Sequence, residues 1–251
     1  MDRTAGEGVD VTGKVAVVTG ASKGIGTSIA RVLDAAGMSL ALLARSEGQL
    51  VELAGELGEN CLPVRCDVGD PESVRAAFAA VGSRFGRVDA LVNNAGVIAM
   101  SLLAEADDPF VTTQVAANLL GPIFCSRAAI PLLVEAGGGD IVNISSRSVD
   151  LARPYLSVYA ATKGGLETFS RTLAAELRPQ GIRVSAIRVG PTASEGPAAA
   201  DAGMSSVTRD WVARGGPAPE APAPAESVAD AVLFVVSRPP SWRVPVLHLE
   251  P

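Results

Sequence analysis

Short runs of branched aliphatic residues alternate with longer amphipathic stretches along the chain, and this alternation limits the possible folds more than any other feature. The segments "KVAVVTG" (14–20), "MSLALLAR" (38–45), "CLPVRCDV" (61–68), "RVDALVNNAG" (87–96), "GGDIVNISS" (138–146), "IRVSAIRV" (182–189) and one near 244–249 read as strands. Between them, 25–37, 47–58, 71–86, 109–136, 157–178 and 226–237 read as helices. Gly37 stands at a C-cap position and Pro71 in a first helical turn, where each residue type is favoured. Strands that are apolar throughout need cover on both faces, and strands separated by helices run parallel. The pattern predicts an α/β fold: a sheet of about seven mainly parallel strands with helices on both faces.

A length of 251 residues suits one domain, 1–251, with 1–12 as a flexible N-terminus. Hydrophobic residues at 48% and charged residues at 19% allow a large core. The net charge of −6 and the lack of any Lys/Arg run argue against nucleic acid as a partner. No stretch approaches the roughly 20 apolar residues of a membrane span, and the first residues carry no apolar signal region. A cytoplasmic protein is expected. Cys61, Cys66 and Cys125 fit no zinc spacing and are odd in number, so they read as small buried side chains in a reducing compartment, with no metal.

Residues 190–225 are rich in Gly, Pro, Ala and Ser and end in "GGPAPEAPAPAE". They read either as a stiff connector or as a lid over a pocket with a short helix near 204–214. Their place after the sixth strand, at the carboxyl end of the sheet, favours the lid.

"TGASKGIG" (19–26) follows the first strand and opens the first helix, the context in which a glycine motif has meaning. Gly20 permits the tight turn, Gly24 lets backbone approach a pyrophosphate, and Gly26 allows close helix packing. The helix start offers free N–H groups and partial positive charge. The second strand ends "LLARS": Ala44 supplies no acid to grip a ribose hydroxyl, while Arg45 and Lys23 supply cations. Charge complementarity then favours NADP(H) over NAD(H). Asp67 and Val68 are placed to meet the adenine, by its amino group and its ring face.

Four polar residues mark the other end. Asn118 lies mid-helix, Ser146 ends the fifth strand, and Tyr159 and Lys163 of "YAATK" share one helix face. With "TGASKGIG", "DV" (67–68), "NNAG" (93–96), Asn118, "NISS" (143–146) and "YAATK" in this order and spacing, the sequence resembles the short-chain dehydrogenase/reductase family over nearly its whole length.

The resemblance implies a Rossmann-type doubly wound sheet and a catalytic tetrad of Asn118, Ser146, Tyr159 and Lys163. Tyr159 is then the general acid/base. A free phenol, with pKa about 10, is poorly matched to neutral pH; Lys163 and the positive nicotinamide of the oxidised cofactor should favour phenolate. Lys163 also holds ribose hydroxyls. Ser146 binds the substrate oxygen, and Asn118 holds a water linking Lys163 to solvent. Ser145 competes with Ser146, and the family spacing to Tyr159 selects Ser146. In the cofactor cleft the resemblance places Gly20, Ser22, Lys23, Gly24, Ile25 and Gly26 of the turn, then Arg45, Asp67 and Val68. Asn94, Ala95 and Gly96 line the cofactor, as do Tyr159 and Lys163. Thr192 meets the nicotinamide carboxamide through its main chain, and Ser194 a phosphate.

Three stretches depart from the family pattern. In "VGPTAS", Val189 replaces a proline and Ser194 a threonine, which should alter how the loop leaves the strand. In "RSVDLARPYL", Arg147, Asp150 and Arg153 form either a solvated, self-paired cluster or, through Arg147 or Arg153, a reader of an acidic or strongly polar substrate. The tail "SWRVPVLHLEP" places Pro245 in the last strand, which suggests an edge, and His248 is read as structural or surface. A homo-oligomer is expected, the dimer through the helices at 109–136 and 157–178 being better supported than a tetramer.

The leading reading is an NADP(H)-dependent oxidoreductase that reduces a small ketone or oxidises the matching alcohol. One alternative is a specialised tailoring ketoreductase of secondary metabolism. Another is a non-catalytic dinucleotide-binding sensor or scaffold, although such relatives usually lose the Tyr or the Lys.

Overall fold

The computed structural model describes residues 8–193, 206–216 and 221–250. Its seven strands are β1 (Val15–Thr19), β2 (Ser39–Ala44), β3 (Cys61–Arg65), β4 (Ala90–Asn93), β5 (Gly139–Ser146), β6 (Ile182–Val189) and β7 (Val246–Leu249). All pair in parallel, in the order β3-β2-β1-β4-β5-β6-β7. This is the predicted Rossmann-type doubly wound sheet. The chain reverses its direction of travel at the β1–β4 boundary, where such sheets bind ligands beyond their carboxyl ends.

The helices are α1 (Ile25–Ala35), α2 (Glu47–Leu57), α3 (Pro71–Phe85), α4 (Asp108–Val115), α5 (Gly121–Glu135), α6 (Ser157–Glu176), α7 (Ser206–Ala213) and α8 (Ala225–Val236). Alternate strand residues feed two cores. Ala16, Val18, Leu40, Leu42, Val142 and Ile187 meet α1 and α8 on one face. Val15, Val17, Leu43, Leu91, Ile141 and Val184 meet α3, α5 and α6 on the other. Burial on both faces explains why the strands read as continuous apolar runs. Asp70 caps α3 by accepting from Glu72 N–H at 3.0 Å, and Gly86 ends that helix in a left-handed conformation.

Several expectations change in detail. The helix expected at 109–136 is α4 and α5 joined by a π turn, Ala116–Leu120, that contains Asn118. Over Asp108–Glu135 this run is long and apolar enough to cross a bilayer by length and composition, which corrects the expectation that no stretch comes near a span. One side of it packs in the core, where Cys125, Ala129 and Leu133 are fully buried against the sheet, while Leu120 and Val134 are exposed. Pro245 precedes β7 instead of lying within it, and its carbonyl accepts from Ala186 N–H at 3.0 Å. The edge position inferred for the last strand holds. The short helix expected near 204–214 is α7; most of the loop around it, with Ser194, lies outside the described residues, as does part of the N-terminus expected at 1–12.

Candidate active site

The β1–α1 turn is built by exclusion of side chains. Gly20 has φ +68° and Gly24 φ +56°, both left-handed. A Cβ on Gly26 would fall 2.1 Å from the Gly20 carbonyl oxygen, so only glycine lets α1 start this close to the turn. The Thr19 hydroxyl accepts from the N–H groups of Asn94 and Ala95, both at 3.0 Å, and the Asn94 amide donates back to the Thr19 carbonyl at 3.0 Å. Asn94 thereby ties β1 to the segment after β4. Thr19 was not singled out from sequence; a hydroxyl closing an apolar strand was the available signal.

Ser22, Lys23, Gly24 and Ile25 lie at the turn, with Lys23 exposed. Arg45 is exposed directly after β2, and no carboxylate stands beside it at Ala44. Asp67 is exposed after β3 and accepts from Gly69 N–H at 3.0 Å, while Val68 is buried against Gly121. These groups form one row past the carboxyl ends of β1, β2 and β3, with positive charge at the β2 position.

Across the switch point, α6 brings Tyr159 and Lys163 to the end of β5. Tyr159 shares a side-chain hydrogen bond with Ser146. Lys163 Nζ donates to the Ile144 carbonyl at 2.7 Å and lies 5.8 Å from the Tyr159 ring centre. A Cβ built on Gly96 would sit 3.7 Å from Lys163 Nζ and 3.0 Å from Asn118 Oδ1. Glycine at 96 therefore leaves open the space that Lys163 faces. Asn118 Oδ1 accepts from Val97 N–H at 2.7 Å, and its amide donates to the Val97 carbonyl at 2.8 Å. Asn118 itself sits in the π turn, a local geometry common at functional sites, and its side chain is engaged with the Val97 backbone.

Burial pushes the Tyr159 phenol above its ordinary value, opposed by the Ser146 hydrogen bond. The expected depression by Lys163 is not among the causes, because the ammonium bonds the Ile144 carbonyl and not the phenol. Burial lowers Lys163 to about 8. Both groups are thus displaced toward their neutral forms by loss of water.

Beyond β6, Ala193 N–H donates to the Ala223 carbonyl at 2.8 Å and Ala223 N–H to the Pro191 carbonyl at 2.9 Å. This bridge uses the groups flanking Thr192 and not its own main chain. Val189, with the N–H that a proline lacks, lets β6 run on to pair with Ser146 and Leu249.

The self-paired cluster expected after Ser146 is not what forms. Asp150 pairs with Arg188, Arg147 lies 3.9 Å from Glu250, and Arg153 lies over the Trp211 ring at 5.7 Å. The Tyr155 hydroxyl donates to Asp210 of α7. Tyr155 is also the one non-glycine residue with positive φ, +67°, among the described residues. Sequence reading missed Glu167 and Arg188, which form a buried pair behind the site. The signal was there: "IRVSAIRV" puts two arginines in a strand buried on both faces, and each requires a carboxylate.

The family described as short chain dehydrogenase matches residues 14–204 of this sequence. The chain belongs to the short-chain dehydrogenase family. An uncharacterized oxidoreductase of Methylorubrum extorquens is 36% identical over 92% of this chain and 93% of its own length. A serine dehydrogenase solved with NADP+ superimposes with a TM-score of 0.83 at 27% identity, covering 94% of each chain. A 3-ketoacyl-(acyl-carrier-protein) reductase from Brucella melitensis, solved with NADH, gives 0.83 at 29% identity over 95% of this chain and 97% of its own. As a short-chain dehydrogenase this protein is an enzyme, a hydride-transfer oxidoreductase, and members of its family act on small molecules.

Proposed function

We propose that this enzyme reduces a small ketone with NADPH, using Tyr159, Ser146, Lys163 and Asn118. The observation that carries this reading is the meeting of Ser146, Tyr159 and Lys163 beside the space left by Gly96, at the far end of a row that begins in the glycine turn.

That row fits a dinucleotide. The turn at 20–26 is bare of side chains where a pyrophosphate would lie, and the α1 N-terminus offers N–H groups to it. Lys23 and Arg45 favour a 2′-phosphate by charge. Asp67 and Val68 would bound the adenine. Ala95 and Gly96 would line the middle, and the main chain of Thr192 would meet the carboxamide. The solved relatives are divided: one was solved with NADP+ and another with NADH, so the 2′-phosphate preference rests on Arg45, Lys23 and Ala44. When bound, the reduced nicotinamide supplies the hydride.

The chain's own groups do the rest. The Ser146 and Tyr159 hydroxyls, already bonded to each other, would both point at one substrate oxygen and stabilise the negative charge that develops there. Tyr159 gives up its proton as that oxygen becomes a hydroxyl. Its raised value suits this direction, since the phenol is held protonated until the alkoxide forms. Lys163 would hold ribose hydroxyls as an ammonium and favour the phenolate left behind. Asn118, fixed by Val97, would keep the water path to Lys163 in place.

The test is NADPH oxidation, followed by absorbance, over a panel of small ketones. Turnover of at least one ketone, with NADPH preferred to NADH, is expected. Tight NADPH binding with no turnover on a broad panel would overturn the ketone reading; equal use of NADH would overturn the assignment of Arg45 and Lys23.

A further inference from the structure

Arg188 does not touch the space beside Gly96, yet it meets three segments that build the site. Its Nε donates to Glu167 Oε1 at 2.7 Å and its Nη2 to Glu167 Oε2 at 2.6 Å. Glu167 is one turn beyond Lys163 on α6, so this bidentate pair fixes the helix that carries both Tyr159 and Lys163. Glu167 Oε1 also accepts from the Ser145 hydroxyl at 2.7 Å, next to Ser146 on β5. The third guanidinium nitrogen, Nη1, bonds Asp150, at the end of the turn that follows Ser146. The sheet register explains the convergence: Ser145, Arg188 and His248 are Cα partners across β5, β6 and β7, so their side chains share one face.

We propose that Arg188 is a positioning residue, which holds α6 and the turn after Ser146 in the one relation that aims the Ser146 and Tyr159 hydroxyls at the same substrate oxygen. The two halves of the clasp differ. The Glu167 side chain is 4% exposed, whereas Asp150 is 52% exposed. The buried half sets the geometry of α6, and the exposed half sets the turn on the substrate side. Asp150 therefore acts on substrate binding, and Glu167 with Arg188 on the proton-transfer step.

This inference rests on the proposed roles of Ser146 and Tyr159, and its test has a readout that needs no substrate. Removing Arg188 alone would strand a buried carboxylate and could unfold the chain. The informative variant is the double change Arg188→Leu with Glu167→Gln, which removes both buried charges and keeps an acceptor for Ser145. The chain has two tyrosines, Tyr155 and Tyr159, so a pH titration of phenolate absorbance against a Tyr159→Phe background isolates Tyr159.

We expect the double variant to fold with a cooperative melt, to bind NADPH within about twofold of wild type, and to lose kcat by on the order of 10²-fold, the effect of a misplacement of about 1 Å. Its Tyr159 midpoint should rise, because the Ser146 hydrogen bond that lowers it is lost. Asp150→Asn should raise KM for the ketone severalfold with kcat little changed. A double variant that folds and keeps both kcat and the Tyr159 midpoint overturns the proposal. If the wild type reduces no ketone, the titration still decides: an unmoved midpoint sinks the positioning role, and a raised midpoint sustains it while the substrate reading alone fails.

Discussion

The phosphate end and the substrate end of this site are built by opposite means. The turn at 20–26 works by the absence of side chains: left-handed φ at Gly20 and Gly24, and a Gly26 whose missing Cβ admits the Gly20 carbonyl. Its contacts are mostly with backbone: Ala21 N–H donates to the Leu43 carbonyl, and Gly20 lies against Ala95 beside the Asn94 tie. The region after Ser146 works by side-chain pairing over long separations: Asp150 to Arg188, Tyr155 to Asp210, Arg147 toward Glu250. On the proposed reading, the first end would hold a pyrophosphate through backbone, and the second would be open to change residue by residue without disturbing the first, as in folds that serve many substrates.

If the two ends are separable in this way, substitutions should divide cleanly between binding of the dinucleotide and chemistry. The largest effect is expected at the chemical end. Tyr159→Phe should lower kcat by on the order of 10²–10⁴-fold, the range for loss of a general acid, with NADPH affinity by fluorescence titration changed less than about twofold. Full activity in that variant would end the division at its strongest point.

Gly26→Ala is the mirror case. The added methyl would meet the Gly20 oxygen and the Asn94 amide nitrogen, 2.7 Å away, and overpacking of this kind costs about 1–3 kcal/mol. NADPH binding should weaken sharply and the melting temperature fall, while the Tyr159 titration stays in place. Unchanged affinity would mean that the turn does not hold the pyrophosphate.

Arg45→Glu should be smaller and selective. Losing a charged hydrogen bond worth about 1.5–3 kcal/mol moves the NADPH-to-NADH affinity ratio by roughly tenfold or more toward NADH. A ratio that does not move would assign the 2′-phosphate to Lys23 or to another cation.

The mildest signal expected is the pH dependence set by Lys163, which joins the two ends. Its folded value, about 8, lies below the ordinary 10.5, so burial disfavours the ammonium. As pH rises through about 8 the free enzyme loses this ammonium, and NADPH affinity should fall. Between about 8 and 10.5 the unfolded chain holds the proton longer, so this lysine's contribution to stability should rise with pH. Lys163→Met should flatten both trends; trends that persist in that variant belong to another group.

The parts of this site that were legible in the sequence are those whose cause is local. The glycine turn, the seven apolar strands and the i, i+4 pair of Tyr159 and Lys163 each announce themselves within a few residues. Asn118 was placed in a helix, but its π turn was not visible, because the break depends on how Val97 and Thr162 meet its amide. Arg147, Asp150 and Arg153 read as neighbours in sequence, yet each pairs with a residue at least 38 positions away or, for Arg153, stacks on Trp211 of α7. Glu167 and Arg188 looked like ordinary charges and prove to be one buried clasp.

The sequence by itself determined the fold class, because hydrophobic periodicity and glycine conformation act over short range, and its motifs in their order carried the resemblance to the family; the roles proposed for Asn118, Ser146, Tyr159 and Lys163 rest on that resemblance. The tertiary structure decided the rest: that the Tyr159 phenol bonds Ser146 while Lys163 turns to Ile144, that burial moves both toward their neutral forms, and that Arg188 joins helix to turn. Desolvation and ion pairing depend on which segments are brought together, and only the packed sheet brings β5, β6 and α6 to one guanidinium.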